Sequence, residues 1–133
     1  RAEVKDRPGV SYLCIPPDLA VVSYWADDVV VMYRGQIVES GPVQAVLAPP
    51  LHPYTEALLT AASTRGIRLR EAEESGPLPE NGCPFYPRCP RTPGNICATT
   101  PPPWRDAGNG HRIRCHIPLE ELQIVQRSVL IEL

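Results

Sequence analysis

The chain has 133 residues, 43% of them hydrophobic, and a formal charge of −2 with acidic and basic residues interspersed. That is enough apolar material for one modest core, or a half-core with an irregular appendix, and too little for a whole enzyme of ordinary size. The mixed charge gives no electrostatic ground for binding nucleic acid or an anionic membrane surface, and no apolar run is long enough to span a bilayer.

Residues Gly9 to Ile15 form a short apolar run between Pro8-Gly9 and Pro16-Pro17, which reads as a buried strand with Cys14 as a buried free thiol. Asp18 is placed as the N-cap of a short helix carrying Leu19, Val22 and Trp25 on one face and ending near Asp27-Asp28. Strands are expected over Val29 to Tyr33 and Gln36 to Glu39, joined by an Arg34-Gly35 turn. Gly41-Pro42 opens another short helix with Val43, Val46 and Leu47 on its buried face, and Pro49-Pro50 stops it. Pro53 then fits the first turn of a helix with Tyr54, Leu58 and Ala61 at helical spacing. His52 and Thr55 read as caps there and Tyr54 as packing, rather than as catalytic groups.

Residues 64–82 are polar and charged, as in a linker. Beyond them, four of the five cysteines fall at Cys83, Cys89, Cys97 and Cys115, a C-x5-C-x7-C-x17-C pattern in a stretch rich in the chain's 17 prolines. Proline and glycine make regular helix or sheet unexpected through most of this cassette, so another device must hold it together. Four thiolates on one metal centre would serve. A structural zinc site could take four cysteines or a mixture with His111 or His116, although the close cysteine pairs usual for zinc are absent. Disulfides and a [4Fe–4S] cluster are the other readings. Phe85, Tyr86 and Trp104 are expected to pack round the centre, with His111 and His116 beside the last ligand. Arg88, Arg91, Arg105, Arg112 and Arg114 would offset its negative charge. After the cassette, Pro118 opens a short helix, and Ser128 to Leu133 has the pattern of a strand.

In order, these motifs are Asp18-Leu19-Ala20-Val21-Val22, then Met32-Tyr33 with Gly35, Ile37-Val38-Glu39 and Gly41, then His52-Pro53-Tyr54-Thr55, then Cys83, Phe85, Arg88 and Cys89. The series resembles the C-terminal part of ATP-binding subunits of oligopeptide, dipeptide and nickel ABC importers. The resemblance implies an α/β fragment followed by an irregular, loop-rich, cysteine-ligated extension. Residues 1–63 would be the trailing edge of a nucleotide-binding domain, 64–82 a linker, 83–116 the metal-binding extension, and 117–133 a tail. Because the chain begins with Arg1, its natural start is expected upstream. The resemblance further implies a cytoplasmic location at the inner face of the membrane, which disfavours disulfides. It also implies a second ATP-binding subunit and membrane permease subunits as partners, and a [4Fe–4S] cluster, with zinc as the alternative, on Cys83, Cys89, Cys97 and Cys115.

No GxxxxGK[ST] loop occurs in the chain, nor the family's signature or acidic catalytic strand, so ATP would be bound only by a longer parent. Where the family carries a switch histidine, this chain has Pro17, which offers no imidazole donor or acceptor. An impaired hydrolytic site is the expectation, with an inactivated gene or an error in the sequence as the other reading. The rival to a transport role is an autonomous zinc- or iron–sulfur-binding module.

Overall fold

A computed structural model describes residues 8–16, 19–62, 79–129 and 131. The expected N-cap Asp18, Pro17, and residues 64–78 of the expected linker lie outside the described residues.

The elements run α1 (Leu19–Trp25), β1 (Asp28–Tyr33), β2 (Gln36–Pro42), α2 (Val43–Val46), α3 (Pro53–Ala62), a 3-10 turn (Tyr86–Arg88), α4 (Ile96–Thr99), β3 (Trp104–Gly108), β4 (His111–Arg114) and α5 (Leu119–Gln126). The strands make one four-stranded antiparallel sheet in the order β1-β2-β4-β3. Two hairpins build it. In the first, Arg34 and Gly35 both take positive φ, and in the second Asn109 and Gly110 do, the left-handed pair that a tight two-residue turn requires. The hairpins meet through Glu39 opposite Ile113 and Ser40 opposite Arg112. Gly41 permits this approach, because a Cβ there would lie 2.9 Å from the Cα of His111.

One core cluster joins Val31, Tyr33, Val38 and Val46 of the first half to Cys83, Phe85 and Cys97 of the cassette. A second holds Ile113, Cys115, Ile117 and Leu122. Leu51, Ile113 and Leu122 have no exposed surface; full burial of such a side chain is worth about 2–3 kcal/mol. Cys83 and Cys97 thus belong to the same interior as the first sheet strands, with Cys89 packed against it, while Cys115 belongs to the second cluster.

Several expectations are corrected. Gly9 to Ile15 is not a buried strand: it has no regular structure, and Leu13 and Ile15 are more than nine-tenths exposed. Cys14 is likewise exposed. The physical reason is pairing, since no described strand lies beside this run and one strand alone has no ladder to join. Helix α1 forms as expected but buries none of its residues. On α3 the buried residues are Pro53, Thr55 and Leu59, one step round from the expected face, while Tyr54 turns sideways onto Tyr33 at a centroid distance of 4.6 Å. The cassette is not irregular throughout, because β3 and β4 complete the sheet. The start of the expected final strand is instead a turn, in which the Val129 N–H donates to the Gln126 carbonyl at 2.9 Å; Leu130, Glu132 and Leu133 lie outside the described residues.

Candidate functional site

The four cassette cysteines come from four different local structures. Cys83 precedes the 3-10 turn and Cys89 follows it, Cys97 lies on α4, and Cys115 follows β4. Backbone bonds bring them in. The Cys83 N–H donates to the Cys97 carbonyl at 2.7 Å, and the Cys115 N–H to the Pro103 carbonyl at 3.1 Å. Gly82 allows the first of these, since a Cβ on it would meet the Cys97 carbonyl oxygen at 2.3 Å.

The result is that Cys83, Cys89, Cys97 and Cys115 all line one small cavity, together with His52, Phe85, Tyr86, His116 and Ile117. Three are buried and Cys89 is partly so. Burial pushes the Cys89 thiol up to about 11 and Cys115 up to about 12, and raises Cys83 as well. Negative charge on any neighbouring thiolate raises them further. Backbone amides oppose this: those of Phe85, Arg91 and Ile117, each two residues beyond a cysteine, favour the thiolates of Cys83, Cys89 and Cys115. The Ile117 N–H already donates to the Cys115 sulfur at 3.4 Å. Burial thus favours the neutral thiol at Cys83, Cys89 and Cys115, while a cationic centre would draw out thiolates that have amide donors waiting. Among the described residues, no group of three or more His, Cys, Asp or Glu side chains is placed to hold a metal ion.

The expected surroundings are only partly present. Phe85 and Tyr86 line the cavity, whereas Trp104 is exposed on β3 with the Arg112 guanidinium 4.8 Å above its ring. His116 lines the cavity and its Nε2 meets the Thr100 carbonyl at 2.7 Å. His111 is elsewhere, with Nε2 2.6 Å from the Glu39 carboxylate in the buried sheet interface. Of the five arginines, Arg114 lowers the Cys83 thiol and Arg91 feels the charge of Cys89. Arg91 is spent on a two-pronged pair with Glu56 at 2.6 and 2.7 Å, and Arg105 on the Cys115 and His116 carbonyls at 2.9 and 2.8 Å.

His52 is the wall residue that its sequence position does not announce. It caps α3 as expected, its Nδ1 accepting the Tyr54 N–H at 2.9 Å, and its own backbone N–H donates to Glu39 Oε1 at 2.8 Å. Burial pulls its imidazole down to about 3, so it is neutral at physiological pH. Its Nε2 is buried and has no protein partner.

Comparison with known proteins gives a consistent picture. A family model described as the oligopeptide/dipeptide transporter C-terminal region matches residues 38–97, which takes in Cys83, Cys89 and Cys97. A peptide import ATP-binding protein of Brucella abortus is 40% identical over 120 residues, 86% of this chain and 35% of the relative. The oligopeptide transport ATP-binding protein AppD of Bacillus subtilis is 42% identical over 117 residues, 84% of this chain and 35% of the relative. A peptide ABC transporter ATP-binding protein of Sinorhizobium fredii is 38% identical over 122 residues, 86% of this chain and 34% of the relative. The chain therefore spans about a third of the length of these relatives.

Proposed function

This chain belongs with the C-terminal part of the ATP-binding subunits of oligopeptide/dipeptide ABC importers, and we propose that its share in peptide import is to hold an iron–sulfur centre rather than to hydrolyse ATP. The carrying observation is the convergence of Cys83, Cys89, Cys97 and Cys115 on one cavity. Two further features support a cluster. Soft thiolates are the ligands iron–sulfur centres take, and the amides two residues beyond three of the cysteines supply the N–H donors that stabilise them. The unpaired donor on the cavity wall, His52 Nε2, suits a site whose occupant brings acceptors. When bound, such a centre would cross-link four chain segments and add a one-electron redox couple; we assign it the structural role.

ATP binding falls outside these residues, since the sequence holds no GxxxxGK[ST] cradle. Peptide transport, pairing with a second ATP-binding subunit, docking on permease subunits and residence at the inner face of the cell membrane are the roles we assign to the intact subunit. No helix among the described residues is long and apolar enough to cross a membrane.

Iron, sulfide and zinc analysis of anaerobically prepared protein tests the centre. Iron and sulfide in equal amounts are expected; one equivalent of zinc with no iron overturns the cluster. For the import role, cells relying on the intact subunit should take up less of a short peptide when Cys83 and Cys115 are replaced by serine. Unchanged uptake would make the centre dispensable to transport.

A further inference from the structure

The cavity wall carries a proton without an acceptor. A neutral imidazole has one N–H and one acceptor nitrogen, and in His52 the Nδ1 is occupied as acceptor of the Tyr54 N–H. The proton is therefore on Nε2, which is buried and meets no protein acceptor, in a residue that lines the same cavity as the four cysteines. His52 has only 1% of its surface exposed, and a donor buried in this way is destabilising unless something fills the place of water. The nearest ring, Phe85 at 6.1 Å between centroids, is apolar. The histidine is also held from behind, its backbone N–H on Glu39 Oε1 and the other carboxylate oxygen on His111. It is a fixed donor on one of the residues that wall the cysteine cavity.

We propose that His52 donates its Nε2–H to a sulfur of the centre held by Cys83, Cys89, Cys97 and Cys115, and so tunes that centre without ligating it. The inference rests on the iron–sulfur reading above. It excludes coordination by His52, because a nitrogen that carries the proton has no lone pair for a metal while Nδ1 remains engaged with Tyr54. A hydrogen bond to sulfur stabilises the more negative, reduced form, so the donor raises the reduction potential.

Two substitutions separate the two nitrogens. In His52→Asn the amide oxygen can still accept the Tyr54 N–H, but the far N–H is gone. In His52→Gln the far N–H is retained and the cap is weakened. The full chain is reconstituted anaerobically with ferrous iron and sulfide, titrated with dithionite, and its reduced state examined by pulsed electron paramagnetic resonance with 15N-labelled histidine. Expected are unchanged iron and sulfide content in His52→Asn with a lower midpoint potential, a potential nearer wild type in His52→Gln, and a weak 15N coupling in wild type that His52→Asn loses. If His52→Asn does not fold, the wild-type coupling and the His52→Gln potential decide. Unchanged potential with no coupling, or a coupling of the strength that direct coordination produces, overturns the role of His52 and leaves the cluster standing. A wild-type chain that takes up no iron overturns both.

Discussion

Glu39 brings a carboxylate to a place with no exposed surface, where one oxygen accepts from the His52 backbone and the other meets His111. Breaking a buried pair by removing one partner leaves the other unsatisfied, so Glu39→Ala is expected to cost about 3–5 kcal/mol in urea unfolding. Next to it, His52 gives stability a pH dependence. Its folded-state pKa of about 3 lies below the ordinary 6.5 because burial penalises the charged ring. The unfolded chain therefore takes up a proton that the native chain refuses. The contribution is whole above pH 6.5 and is lost as pH falls toward 3, by about 1.4 kcal/mol per pH unit. In the metal-free chain, His52→Asn should flatten the unfolding free energy across that window; an unchanged slope would show that another group carries it. Thiol reactivity divides in the same way. Exposed Cys14 should react with a disulfide reagent at neutral pH well before Cys83, Cys89 and Cys115, whose thiols burial holds protonated.

Among elements, the two hairpins show what the sequence makes legible. Arg34-Gly35 between β-forming runs announces β1–β2. Asn109-Gly110 is an even stronger turn pair, yet β3–β4 is hidden because its strands, with Asp106, Gly108 and three arginines, lack the apolar alternation of a half-buried strand and follow three consecutive prolines. Gly9 to Ile15 fails in the opposite direction: its composition is that of a strand, but composition cannot supply a neighbour. The site divides likewise. The four cysteines are readable from residue type alone, and the cap role of His52 from its place before Pro53. That it lines the cysteine cavity depends on a packing between segments thirty residues and more apart, which no local pattern encodes. Two glycines set the close approaches, and both are testable. Gly82→Ala drives a Cβ against the Cys97 carbonyl, and Gly41→Ala one against His111. Each should lower stability by about 1–3 kcal/mol. Only Gly82→Ala should also reduce the iron retained per chain, since it alone shifts the backbone of two proposed ligands.

At the scale of the whole molecule, one polar relay ties the end of the chain to its middle. Gln126 on α5 is fully buried; its carbonyl accepts the Leu51 N–H at 2.8 Å, and its amide donates to the Leu51 carbonyl at 2.9 Å and to Glu56 at 3.0 Å. Glu56 in turn holds Arg91 of the cassette. Gln126→Ala strands both Leu51 backbone groups, and about 2–4 kcal/mol of unfolding free energy should be lost; a shift within error would show that water replaces the side chain. The pairing of β2 with β4 has a last consequence, for the order of assembly. Glu39 and His111 are 72 residues apart, so their strands can meet only after a long loop closes, a slow and entropically costly event next to the local turns around Cys83, Cys89 and Cys97. During synthesis those three cysteines leave the ribosome well before Cys115 does. They can gather as an open, three-sided basket, and docking of the second hairpin swings the fourth thiol into place. The sheet is therefore what brings the fourth cysteine to the cavity that the other three begin.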